Sequence, residues 1–123
     1  MSSSNIPSLN TDHVVTGKIN GSAGGSAVIS DCNDGSVVIT AATDGVQTIT
    51  FGHPFSHIPT VCATVVDAAI ATDASQGIVI TSAATDAVVF QTWQTTLAAA
   101  ATDTVNAGTN LDFHFIVAGR RSK

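Results

Sequence analysis

The chain contains no glutamate and no tyrosine; all nine of its acidic residues are aspartate. Leucine, lysine and arginine are also scarce, so the best helix formers are largely missing and helices longer than a turn are not expected. Only four residues are basic, Lys18, Arg120, Arg121 and Lys123, and three of these fall in the last four positions. With a net charge of −5 that short basic tail reads as a solvated end, and no nucleic-acid partner is expected. Two cysteines, Cys32 and Cys62, are too few for a disulfide framework. They either pair with each other or remain buried free thiols, and the second reading is favoured. No apolar run is long enough to span a membrane.

Catalytic signatures are missing as well. There is no nucleophile elbow, no phosphate-cradling glycine loop and no dense acid–base cluster, so neither catalytic residues nor a cofactor are expected. Asp31 and Asp34 in the segment SDCNDG lack the ligand spacing of a calcium loop and read as turn residues. His53 and His57 stand four apart, a spacing that brings two metal ligands together on a helix; two prolines in their segment exclude a helix there, and no metal site is expected.

What remains is a chain that is 44% hydrophobic, rich in Val, Ile and Thr, and only 11% charged. These residues favour pleated, half-buried strands. The organising stretch is VQTITFGHPFSHIPTVCATVVD, Val46 to Asp67. Val46, Thr48 and Thr50 alternate with Gln47, Ile49 and Phe51, and Val61, Ala63 and Val65 alternate with Cys62, Thr64 and Val66; this is the period-2 signature of strands. Between them, Pro54 and Pro59 cannot donate ladder hydrogen bonds, so the chain leaves the sheet. Phe51, Phe55 and Ile58 are expected to anchor this corner as one strand gives way to another in a second sheet.

The remaining elements follow in order. Residues 1–12 are Ser- and Asn-rich and form an arm with little of its own to fold against; Ile6, Pro7 and Leu9 are its gripping residues. Strands are expected at His13–Ile19, Ala27–Ile29, Ser36–Thr40, Ile78–Ser82 and Val88–Trp93. The second and third of these read as a hairpin closed by Asp34-Gly35. Thr-Asp pairs at 43–44, 72–73, 85–86 and 102–103 mark turns, and Thr95–Asn110 reads as an extended edge segment and insertion. In the last strand Leu111, Phe113, Phe115 and Val117 should face the core, with Asp112, His114 and Ile116 outward. Many short strands without helical crossovers predict an all-β fold, a small antiparallel β-sandwich over residues 13–119 with an extended N-terminal arm and a basic tail at 120–123.

Phe51, Pro54, Phe55, Pro59 and Val61, then Thr92-Trp93, then Phe113 and Phe115 occur in an order that resembles the H-type lectin domain. Thr16-Gly17-Lys18-Ile19 is similar to the segment that opens some lectins of this kind. The resemblance implies an antiparallel β-sandwich that assembles as a homotrimer. Sandwiches of this sort also occur in bacteriophage virion surface and fibre proteins, whose Ala/Thr/Ser/Gly-rich composition this chain shares. In the lectins the Trp of the Thr-Trp pair is commonly followed by His, with an Arg nearby; here Gln94 follows Trp93 and no Arg precedes Arg120.

Two expectations follow. The first is a non-enzymatic virion structural protein, a phage capsid decoration (cement) or fibre/spike component, whose arm straps capsid or tail proteins of the same particle. The second is a carbohydrate-binding lectin, virion-borne or extracellular, with Trp93 and Gln94 on surface glycans. The start, MSSSNIPSLN, lacks the basic and apolar regions of a signal peptide, so release by lysis or within a virion is the expected route out of a cell.

Overall fold

Alternation decides the architecture: nearly every apolar run in the chain has period two, and period-two segments can bury only one face. The computed structural model describes residues 12–21, 27–41, 45–66, 76–96, 104–106 and 111–120. Residues 1–11, and with them Ile6, Pro7 and Leu9, lie outside the described residues, as does the tail from residue 121. Nine strands occur among the described residues: β1 (Asp12–Asn20), β2 (Val28–Cys32), β3 (Val38–Ala41), β4 (Val46–Thr50), β5 (Thr60–Val66), β6 (Gln76–Ala83), β7 (Ala87–Thr96), β8 (Thr104–Asn106) and β9 (Asp112–Arg120). One sheet has the order β2-β1-β9-β5; the other has β3-β4-β7-β6, with β8 paired to the end of β7. Every pairing is antiparallel, and the two sheets pack face to face as a β-sandwich.

The interior is built from the inward residues of both sheets. Val15, Ile19, Phe113, Phe115 and Val117 come from the first sheet, and Ile49, Val88 and Phe90 from the second. Phe90 is the bridge: its ring lies 5.0 Å from Phe113 and 5.9 Å from Phe115 across the interface between sheets. Burying a phenylalanine of this kind contributes about 1.5–3 kcal/mol. The alternation foreseen for the last strand holds, with Phe113, Phe115 and Val117 buried and Ile116 exposed. Gly17 has a packing reason. It pairs with Phe115 in register, and a Cβ there would lie 2.5 Å from the Phe115 ring, so only glycine lets that ring lie across β1.

The corner carries the chain from β4 in one sheet to β5 in the other, as its two prolines suggest. Phe51 and Phe55 are buried and meet edge to face at 5.1 Å. Their backbone amides donate to Asp86 O and Thr85 O in the β6–β7 bend, while Ser56 N donates to Arg120 O at the end of β9. The corner thus ties both sheets together at one end of the sandwich. Ile58 is not an anchor: it is 69% exposed, and Pro59 takes the buried place beside it.

A second correction concerns the hairpin expected between residues 27 and 40. β2 pairs with β1 and β3 pairs with β4, in different sheets. The linker is a crossover. Asn33 continues the ladder beside β1, its Oδ1 accepting from Thr16 N and its Nδ2 donating to Val14 O. Asp34 then bends the chain, its Oδ1 accepting from Ser36 N and Ser36 Oγ, and Val37 drops into the core. Among the described residues the positive-φ glycine is Gly45, before β4, rather than Gly35. β9 also runs one residue past the expected end of the domain, to Arg120.

Candidate functional site

With the core between the sheets, each sheet turns its other face outward, and the two outer faces differ in chemistry. On the first sheet, β9 presents Asp112, His114, Ile116, Ala118 and Arg120. In register beside them lie Thr16 and Cys62 flanking Ile116, Lys18 and Thr64 flanking His114, and Val14 and Thr60 flanking Ala118. Val14, Val28, Val66 and Ile116 are exposed on this face, Ile116 to 50%. Shallow grooves run along both sides of the His114–Ile116 ridge. One is lined by Thr16, Lys18, Asp31 and Asn33, the other by Cys62, Ala63 and Thr64. Both cysteine thiols are free; Cys32 is half-buried, and Cys62 is exposed here, not buried as the sequence suggested.

The outer face of the second sheet carries no charged residue along β3, β4, β6 and β7. Trp93 belongs to it. Val88, Phe90 and Thr92 of β7 are buried, so Val89, Gln91 and Trp93 point outward, and Trp93 is half-buried rather than a core residue. Its indole lies against Gly77, its register partner on β6, where a Cβ would stand 2.2 Å from Trp93 Cζ2 and 2.4 Å from Cε2. Glycine at 77 therefore leaves the room that lets the indole pack directly against the β6 backbone. Gln94, the next residue, projects to the opposite face, where Gln76 Nε2 donates to its Oε1 at 3.4 Å. Trp93 and Gln94 are adjacent in sequence but do not share one face of the sheet. No sequence signal marked Gly77, because its partner is set by β6–β7 register.

A polar cluster forms where the crossover meets the corner. Ser36 Oγ donates to Asp34 Oδ1 at 2.6 Å and lies 3.3 Å from His53 Nδ1; His13 Nε2 stands 3.5 Å from Asp34 Oδ2. The hydrogen bonds from the Ser36 hydroxyl and backbone amide hold the Asp34 carboxyl below its ordinary pKa, more than burial raises it, with His13 adding a smaller effect in the same direction. Ser, His and Asp thus meet, yet the carboxylate bonds the serine directly instead of orienting a histidine that would deprotonate it. That is the geometry of a turn lock, not of an activated nucleophile. His57 pairs instead with Ser56 Oγ, and no cluster of metal-ligating side chains occurs among the described residues.

Two outer faces therefore stand as the candidate sites: a ridge with flanking grooves on one sheet, and on the other a surface without charge along β3, β4, β6 and β7 that bears the Trp93 indole. Comparison with protein-family models, with curated proteins and with solved structures finds no match to this chain.

Proposed function

We propose that this protein is a non-enzymatic structural component of a virion, a phage capsid decoration or fibre/spike protein that works as a homotrimer. The observation that carries the reading is the chemistry of the outer faces. One carries no charge along β3, β4, β6 and β7, and the other exposes Val14, Val28, Val66 and Ile116 in a chain with only 11% charged residues. Surfaces so poor in charge lose little on desolvation and associate readily. The order of the corner, Thr-Trp and last-strand motifs, similar to that of H-type lectin sandwiches, supports a trimer. The arm, with Ile6, Pro7 and Leu9, is the part assigned to gripping neighbouring capsid or tail proteins. Deleting residues 1–11 should abolish attachment to particles while leaving the oligomer intact. Truncated protein that decorates particles normally contradicts this assignment.

Trp93 favours a second reading, a glycan-binding lectin. An indole packed on Gly77 and partly open to solvent is suited to stacking on a sugar ring, and three weak copies would act by avidity. Specific retention on a glycan array, lost in Trp93→Ala with the fold intact, would select this reading.

A further inference from the structure

We infer that the outer face of the β2-β1-β9-β5 sheet, centred on Ile116, is the surface that copies of this chain bury against one another. The inference rests on the proposal that the protein is an oligomer and names the face that makes it one. Three observations converge on a second copy as the occupant.

The first is relief. The His114–Ile116 ridge stands between two grooves of about 320 and 300 Å³, one on each side of β9. A surface with a ridge and adjoining grooves of similar size can interlock with itself: the ridge of one copy enters a groove of the next. The second is charge. Lys18 and Arg120 are the cationic side chains among the described residues, and both lie on this face, each in register with an aspartate, Lys18 with Asp31 and Arg120 with Asp12, while Asp112 begins β9. In a chain of net charge −5, a face that carries both signs can set acid against base when two copies meet. Asp31 stands opposite Lys18 in the β1–β2 register, so both signs are presented together and each copy offers partners to the other. The third is distribution. The exposed apolar side chains Val14 and Ile116 lie toward the middle of the face, Val28 and Val66 toward its margins, and the charged groups around them resemble a dry centre with a polar rim. The other sheet exposes Val38 and Val79 on its outer face, but along β3, β4, β6 and β7 it has no charge with which to set an orientation.

Ile116→Asp tests the face with little threat to the fold, because the side chain points away from the core. Native mass is measured for both proteins over a dilution series, and circular dichroism checks the strands. Burying an unpaired carboxylate should weaken association by at least about a hundredfold. The expected result is an oligomeric wild type and a folded, monomeric variant. An oligomeric wild type with an equally oligomeric variant overturns the assignment of this face while leaving the oligomer proposal standing. A monomeric wild type overturns both. Should Ile116→Asp fail to fold, Cys62 on the same face decides the matter in a Cys32→Ser background, which leaves one thiol. Its reaction with a maleimide should be at least about tenfold slower in the oligomer than after dilution to monomer, in keeping with its burial at a contact. Equal rates mean that the face is open in the oligomer and the inference is wrong.

Discussion

Gln47 is the residue at which the sandwich departs most from its own logic. It sits on the inward side of β4, in register with Phe90, and is 1% exposed, yet neither its Oε1 nor its Nε2 has a hydrogen-bond partner among the described residues. A buried amide in this state costs about 1–3 kcal/mol. Methionine has nearly the same length and shape with no strong polar demand. Gln47→Met should therefore raise stability by about 1 kcal/mol or more in chemical denaturation. A loss of similar size would mean that the amide is satisfied and holds the core together. The alternation of Val46 to Phe51 already placed Gln47 on the same side as Ile49, so its facing was legible. Its lack of partners was not, since hydrogen-bond satisfaction depends on the neighbours that register brings. The same limit applied to Trp93: Val89 and Gln91 leave its facing open in sequence, and only the burial of Val88, Phe90 and Thr92 decides it.

At the scale of the element, the corner and the crossover hold the two sheets in place. Prolines and paired phenylalanines made the corner readable, because Pro54 and Pro59 can stop a strand wherever it lies. The crossover at residues 33–37 looks in sequence like a hairpin turn. Asn-Asp-Gly chemistry specifies that the chain bends, not which sheet receives it, and here Asn33 binds β1 while Val37 commits to the core. Asp34 locks that bend, and its folded pKa lies below the ordinary 3.8. A depressed carboxylate adds stability that is fully present above the unfolded pKa and is lost as pH falls through the folded value. The wild type should accordingly lose part of its stability in the acid range below about pH 4. Asp34→Asn keeps an acceptor for Ser36 but does not titrate. The stability gap between the two proteins should be widest near neutrality and shrink with acidification. A gap that stays constant from pH 6 to pH 2 would show that the Asp34 carboxylate is not the source.

For the whole molecule, composition was the most informative feature. Val, Ile and Thr with few helix formers pointed to an all-β sandwich, and the structure is one. The same composition leaves outer faces that carry little charge, and such faces favour association. Homotrimer formation is the claim on which the proposed virion role, the strapping arm and the Ile116-centred contact all depend. Native mass spectrometry of the full-length protein, repeated by sedimentation at micromolar concentration, tests it most directly. A single species at three times the chain mass is expected at that concentration, and it should survive high salt because apolar burial holds it. A monomer under the same conditions would contradict it.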